Sequence, residues 1–335
     1  PSGSGSTTIS VQVTTTTPAV LGVASSTPAA LNATSCDFGS PACSFTAADA
    51  GLLFDLPHHR SDSSQAFTVQ AVRKSDNGLA CTPAFANVTR SVTFRCSYDN
   101  PSSGSLPARV GGSALNASGS AAAACDGGGR AVSLAFNASG VASTSLQYAD
   151  AGQLTLSATY TGGAATADTG LLMSGSDSFI AAPERFTLGS ITAGPIRAGS
   201  SFSATVTARN ANGAATPNFG RETGAETLYV GWARLQPTGG GAADGSFSGS
   251  FGSFANGSAS ATNLAWTEVG RGDLVVRSTN AGGYLGTGLL AYGSSAGDAV
   301  TCASESGTCA LPGGTTATVY YGERGTWVAK TFNFH

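Results

Sequence analysis

The chain has 335 residues and few charges: 16 are Lys or Arg and 19 are Asp or Glu, whereas Gly alone accounts for 46. The net charge of −3 excludes a protein that binds nucleic acid through a basic surface, because such binding depends on counterion release. No run of 18 apolar residues exists, so we expect no membrane span, and a chain that is 41% hydrophobic and 10% charged is not typical of disorder.

Cysteine usage predicts a secreted protein. Seven Cys accompany three His and only two Lys, a pattern typical of extracellular chains that are held by disulfides. The chain starts at Pro1 and its one Met is Met173, from which we expect that a leader has been removed. The expected location is extracellular or at the cell surface.

Residues 1–50 are expected to form an N-terminal segment with a strand and a Cys loop. In Thr8–Thr14 the apolar residues Ile9, Val11 and Val13 alternate with polar ones, the pattern of a strand with one buried face. This strand lies outside the repeats described below, and a free strand can add to an exposed sheet edge of a neighbour. We therefore expect an assembly strand that joins one subunit to the next.

The chain then repeats itself. Residues 67–85 align with 202–219, and residues 137–152 align with 255–270. The offset falls from 135 to 118 residues between the two matches, so the first copy carries about seventeen extra residues. We place this insertion at 111–129.

Within each copy the apolar residues recur with a period of two. Phe67, Val69 and Ala71 alternate with more polar neighbours, and Asn-Gly and Gly-Gly turns separate such runs. The predicted fold is all-β: tandem Ig-like β-sandwiches with extra terminal strands and a small C-terminal β module. The predicted boundaries are 51–182 for the first sandwich, 183–293 for the second and 294–335 for the module.

Two pairs of cysteines lie close together in the sequence, one near each end of the chain. Cys36 with Cys43, and Cys302 with Cys309, close loops that are short enough for local disulfides. The second copy contains no Cys, so disulfides are additions to a fold that does not need them.

Cys81, Cys96 and Cys125 of the first copy allow two competing disulfides. We favour Cys96–Cys125, because it would hold the inserted loop against its parent strand, and Cys81–Cys96 is the alternative. In the favoured pairing, Cys81 is expected to be a buried thiol.

No motif predicts catalysis, so we expect no enzymatic activity, cofactor or metal site. The pair His58-His59 has no matching ligands nearby, and no CxxC is present. Asp168-Thr-Gly170 resembles half of an aspartic-protease dyad without its partner, and we interpret it as a turn. The integrin-type tripeptide Arg271-Gly-Asp273 is expected at an ordinary tight turn between two strands.

An aromatic cluster near the C-terminal end allows two interpretations. Tyr320, Tyr321 and Trp327 are flanked by Gly and could stack on sugar rings as a glycan contact. The alternative is that a small module buries its few large side chains.

Eight segments of the chain carry a further pattern: Leu52–His59, Phe67–Asn77, Ala80–Phe85, Gln147–Gly152, Gly175–Phe179, Thr207–Ala211, Trp266–Gly270 and Tyr284–Gly288. In this order they resemble the MshQ-like domain family of MSHA-pilus biogenesis proteins. The resemblance covers roughly residues 30–290 and implies a bacterial envelope or extracellular location, an association with type IV-like pili or adhesion, and no catalytic residues. Beyond it, 301–309 and 317–327 are similar to the opening half of a small Cys-containing module of secreted polysaccharide-degrading enzymes.

Together these patterns predict a non-enzymatic extracellular protein: a structural subunit or pilus-associated adhesin that assembles through β-strand contacts. Its expected partners are copies of itself or other pilus and surface subunits, and a glycan is possible. The alternative function is a carbohydrate-binding accessory module of a secreted protein.

Overall fold

The computed structural model describes residues 50–75, 81–236, 243, 245–280 and 282–295, and the backbone of six short strand segments outside these ranges. Helical structure in this part of the chain consists of two 3-10 turns, at Ala164–Thr166 and Tyr284–Gly286. The predicted all-β fold class is confirmed.

Before the first sandwich, two short strands, β1 (Ala19–Val20) and β2 (Ser44–Phe45), pair antiparallel. The proposed assembly strand with Ile9, Val11 and Val13 lies outside the described residues. So do Cys36 and Cys43, and these expectations stay predictions.

The first sandwich has two sheets. Its strands are β3 (Ala50–Leu53), β4 (His59–Arg60), β5 (Gln65–Lys74), β6 (Cys81–Pro83), β7 (Val88–Asn100), β8 (Ala108–Val110), β9 (Ser113–Ala114), β10 (Arg130–Phe136), β11 (Val141–Tyr148), β12 (Gly152–Thr161) and β13 (Leu172–Ala182). One sheet has the strand order β10–β7–β12–β13–β4, with β4 parallel to β13. The other sheet has the order β3–β5–β11–β8–β9, with β6 beside β5.

The second sandwich has the simpler plan of a seven-strand Ig domain. The strands are β14 (Arg185–Gly189), β15 (Phe202–Arg209), β16 (Leu228–Gln236), β17 (Phe247–Ser248), β18 (Ser258–Trp266), β19 (Gly270–Ser278) and β20 (Tyr292–Ser294). The sheets have the orders β14–β15–β18–β17 and β16–β19–β20, which correspond to the A-B-E-D and C-F-G sheets of a constant-type Ig fold.

Towards the C-terminal end, β21 (Thr301–Cys302), β22 (Thr308–Ala310) and β23 (Thr316–Thr318) form a three-stranded sheet. Cys302 and Cys309 are register partners in it, and the disulfide between them stays a prediction. Strand β24 (Phe332–Phe334) pairs antiparallel with Gly270–Gly272 of β19 in the same chain. This terminal strand is thus engaged within its own chain.

The alternating pattern of the sequence positions the core of each sandwich. Phe67, Val69 and Ala71 are buried in β5, as the period of two predicts. Tyr148 and Trp266, which occupy the same place in the two copies, are both fully buried. In each copy a glycine follows four residues further on, Gly152 and Gly270, and both have positive φ, at +140° and +147°.

The two copies differ at the edge of one sheet. In the first, β7 lies between β12 and β10, and all seven residues of β10 pair with it. In the second, the equivalent strand β16 is the terminal strand of its sheet, and among the described residues it pairs with β19 alone.

In the second copy, the segment before β18 pairs with it. Residues 247–248 form β17 beside β18, and the Gly252 amide donates to the Ser260 carbonyl of β18 (3.0 Å). Phe247 pairs with Trp266 as Ala108 pairs with Tyr148 in the first copy, so β17 has the place of β8, and the described residues of the second copy contain no counterpart of β10.

Candidate functional site

The structure contains one of the two disulfides that the first copy allowed. Cys96 of β7 is bonded to Cys125 of the inserted loop. The expectation of a buried leftover thiol is wrong, because Cys81 is free and exposed in the part of the chain that the structure describes. Cys81 lies in the short strand β6 at the margin of its sheet, and the side chains of β6 are not covered by the core.

The integrin-type tripeptide does not lie at a turn, contrary to expectation. Arg271, Gly272 and Asp273 are inside strand β19, and the Asp273 side chain is fully buried, where its Oδ1 accepts a hydrogen bond from the Ser295 hydroxyl (2.7 Å). A buried carboxylate cannot be presented to a receptor, so this sequence is structural here.

Other sequence candidates for chemistry have structural roles. His59 is buried and its ring stacks on Phe179 (5.4 Å between centroids), and burial lowers its pKa. Asp168 accepts hydrogen bonds from Tyr160 (2.6 Å) and Arg90 (3.3 Å) in the turn between β12 and β13. Within the described ranges, no group of His, Cys, Asp and Glu could hold a metal ion, and no helix there is long and apolar enough to cross a membrane.

The inserted loop of the first copy is held by a dense set of bonds. Besides the disulfide at Cys125, the Tyr98 hydroxyl donates to the Leu106 carbonyl (2.6 Å) and accepts from the Cys125 amide (3.0 Å). The buried Asn116 side chain donates to the carbonyls of Ser120 and Ala123, both at 2.8 Å. These bonds fix the position of the loop, which leads directly into β10.

The junction between the sandwiches contains one carboxylate that is shared by both. Asp62 of the first sandwich accepts from Arg109 (2.7 Å) and Gln147 (2.8 Å) on one oxygen. Its other oxygen accepts from Asn212 (2.7 Å) and Asn210 (3.4 Å), which belong to the turn after β15. Asp62 therefore ties the end of one domain to a turn of the next.

A second carboxylate at the junction is fully buried. Asp150 Oδ1 accepts from the amides of Ala151 (2.8 Å) and Asn218 (3.0 Å), whereas its Oδ2 has no hydrogen-bond partner among the described residues. Burial raises the pKa of Asp150 to about 6, against the opposing effects of these amides and of Arg221. The neighbouring Tyr148 hydroxyl accepts from the Asn218 side chain (3.2 Å).

Behind this contact, the second sandwich buries a further acid. Glu222 accepts from the Tyr284 hydroxyl (2.5 Å) and from the Gly220 amide (2.8 Å). Burial raises the pKa of Glu222 and that of Tyr284. These bonds fix the loop that carries Asn218 to the second sandwich.

Apolar contacts and a guanidinium complete the junction. Ala151, Ile180 and Ala182 of the first sandwich belong to the same buried cluster as the core of the second. Arg60 donates to the carbonyls of Pro183 (2.8 Å) and Leu290 (2.7 Å). Apolar packing and hydrogen bonds therefore join the two domains over one continuous contact.

Sequence reasoning identified Tyr148 as a core residue but missed the junction. The partners Asp62, Asp150 and Asn218 lie in turns, where Asp and Asn are ordinary. In the sequence, Asp150 is followed by Ala151 and Gly152 and not by charged residues. This is only a weak signal that its side chain is buried.

A family model, the first Ig-like domain of a domain of unknown function (DUF6701), matches residues 33–176. Among curated proteins, none matches the sequence. The matched stretch includes most of the first sandwich and supports its Ig-like assignment, while the MshQ-like resemblance stays a prediction.

Solved structures with a similar arrangement include those of FdeC, an Escherichia coli adhesin (14% identity, TM-score 0.32, 68% of this chain and 59% of that chain), and invasin, a bacterial integrin-binding protein (14%, 0.31, 69% and 36%). A titin fragment is also similar (10%, 0.28, 73% and 95%). This chain thus spans 59% and 36% of the length of the two bacterial proteins. At these TM-scores the functions of the neighbours are not transferred.

Proposed function

We propose that this chain is an extracellular structural subunit or pilus-associated adhesin of a bacterial surface, in which two Ig-like sandwiches act as one stiff spacer. Subunits associate through β-strand contacts. The proposal is supported by the strand-only fold, the low charge and the disulfide, and the resemblance to pilus-associated proteins agrees with it.

The main support for this proposal is the junction between the two sandwiches. Domains within a chain normally move relative to one another, unless their interface is large and apolar. Here Asp150 and Asp62 bond across the interface, and Ala151, Ile180 and Ala182 enter the core of the second sandwich. A spacer that transmits force or projects a binding site needs such a fixed junction.

Immunogold electron microscopy of intact cells of the source organism tests the location and the assembly. Antibodies against this chain are expected to label the outer surface or surface filaments without permeabilisation. Labelling that requires permeabilised cells would contradict the proposal. A strain that lacks the coding sequence is the control for antibody specificity.

Small-angle X-ray scattering of the purified chain tests the stiff junction. We expect the wild type to fit one fixed arrangement of the sandwiches, and the double variant Asp62→Ala/Asn218→Ala to require an ensemble of arrangements. An ensemble already required for the wild type would contradict the spacer role.

A further inference from the structure

We infer that the outer edge of β16 is an acceptor site for a β-strand formed by residues 8–14 of a second copy of this chain. The inference rests on the proposed assembly function and names the two surfaces that would meet.

The acceptor is the edge of β16 that faces away from β19. Strand β16 runs from Leu228 to Gln236 and pairs regularly with β19 as far as Arg234, where the register shifts. On its other side, no strand of the described part of the chain pairs with it. Exposed edges are normally protected by Pro, by several charges or by short length. From Leu228 to Arg234 the strand contains no Pro and one charge.

The first copy shows what such an edge accepts. There, β10 covers the equivalent strand β7 with seven residues, Arg130–Phe136. Its side chains at every second position, Val132, Leu134 and Phe136, are buried in the core, and the intervening ones are exposed. The edge of β7 thus accepts a seven-residue strand that carries three apolar side chains at every second position.

Residues 8–14 have the same pattern as β10. Thr8–Thr14 is seven residues long and carries Ile9, Val11 and Val13 at a spacing of two, with Ser10 and Gln12 between them. These β-branched residues favour strands, and backbone pairing combined with alternate side-chain pockets is the usual basis of strand addition.

Other strands of the described residues already have partners. The segment that precedes β18 pairs with it, and its Phe254 packs against Phe219 (4.7 Å between ring centroids). Strand β24 near the C-terminal end pairs with β19. Residues 8–14 therefore carry the inference through their sequence pattern.

A contact between copies would be directional. The donor precedes the first sandwich of one copy, and the acceptor edge belongs to the second sandwich of the next. Donor and acceptor are different surfaces, so the contact is heterologous and repeats into an open filament unless a ring closes. This geometry agrees with the proposed role as a structural subunit.

Analytical ultracentrifugation of the full chain tests the inference. All samples carry Cys81→Ser, because the exposed thiol could form artificial dimers. We expect concentration-dependent association, at least tenfold weaker in Val11→Asp, which places a charge among the apolar side chains of the donor. Ser10→Asp, on the opposite face of the same strand, is the matched control and is expected to associate within twofold of the parent.

Hydrogen exchange locates the acceptor. The amides of Leu228–Arg234 are expected to gain at least tenfold protection as association proceeds, and to lose it in Val11→Asp, while β7, already covered by β10, is unchanged.

Three outcomes overturn the inference. A chain that stays monomeric with an unprotected β16 edge removes the contact altogether. A monomer whose β16 is protected shows that the edge is closed within one copy. Association that is insensitive to Val11→Asp, without protection of β16, shows assembly through another surface and leaves the proposed function intact. Surface labelling of cells is independent of all three.

Discussion

The two sandwiches share one strand plan but treat the edge of the same strand differently. The first inserts a loop, bonds it through Cys96–Cys125 and returns with β10 to cover β7. The second lacks the insertion and, among its described residues, a counterpart of β10, so β16 lies at the margin of its sheet. The difference shows that the copy with about seventeen extra residues covers this edge with a strand of its own, whereas the described residues of the shorter copy do not.

The first test of the comparison removes the central side chain of the second sandwich. Trp266 is fully buried and packs against Trp232 (4.5 Å between ring centroids), so Trp266→Ala is expected to cost about 3–5 kcal/mol of unfolding free energy. Calorimetry should show that the second sandwich unfolds before the first. Val269→Ala at an exposed site is the control, and a loss below about 1 kcal/mol in Trp266→Ala would contradict the assigned core.

The second test makes the first sandwich resemble the second. The double variant Cys96→Ala/Cys125→Ala opens a loop with a sequence separation of 29 residues, which is expected to cost about 3 kcal/mol. Urea unfolding measures the loss, and hydrogen exchange should show faster exchange of the β10 and β7 amides. Cys81→Ser is the control, with an expected change within about 0.5 kcal/mol. Unchanged exchange in β10 would mean that the disulfide does not hold the cover strand.

The third test uses pH at the junction. The pKa of Asp150 is raised from 3.8 to about 6 in the folded chain, so between pH 4 and 6 the folded state binds more protons than the unfolded state. Stability is therefore expected to fall as pH rises through this window, by about 3 kcal/mol from this one group. In Asp150→Asn, urea unfolding at pH 4.5 and 7 should show a clearly smaller difference than in the wild type.

Glu222 needs its own control, because burial raises its pKa in the same direction and it lies near Asp150. Glu222→Gln is expected to remove only its own share of the pH dependence. An equal pH dependence in the wild type and in Asp150→Asn would show that Asp150 titrates normally and that the junction does not bury its charge.

The smallest expected effect concerns a single bond across the junction. Tyr148→Phe removes the hydrogen bond with Asn218 (3.2 Å) and is expected to cost about 1 kcal/mol. Tyr160→Phe, which removes the bond to Asp168 inside the first sandwich (2.6 Å), is the matched control. Scattering should show looser domains in the first variant alone, and an equal change in both would contradict a role specific to the junction.

The sequence by itself determined the fold class, the repeat and much of the core. Alternation with a period of two is local, so Phe67, Val69 and Ala71 could be assigned to a buried face without knowledge of the neighbouring strands. The repeat also placed Tyr148 and Trp266 in equivalent core positions. The positions of Cys81, Cys96 and Cys125 limited the disulfide of the first copy to two pairings, of which the structure contains Cys96–Cys125.

Only the tertiary structure decided which groups meet at the junction and which edge stays open. Asp150 and Asn218 are 68 positions apart in ordinary turns, and no periodicity links them. The buried Asp273 and the exposed Cys81 depend in the same way on the course of neighbouring strands. A local pattern predicts which face of a strand is apolar, but the partner on each edge follows from where the rest of the chain passes, because edge pairing uses backbone groups that every residue shares.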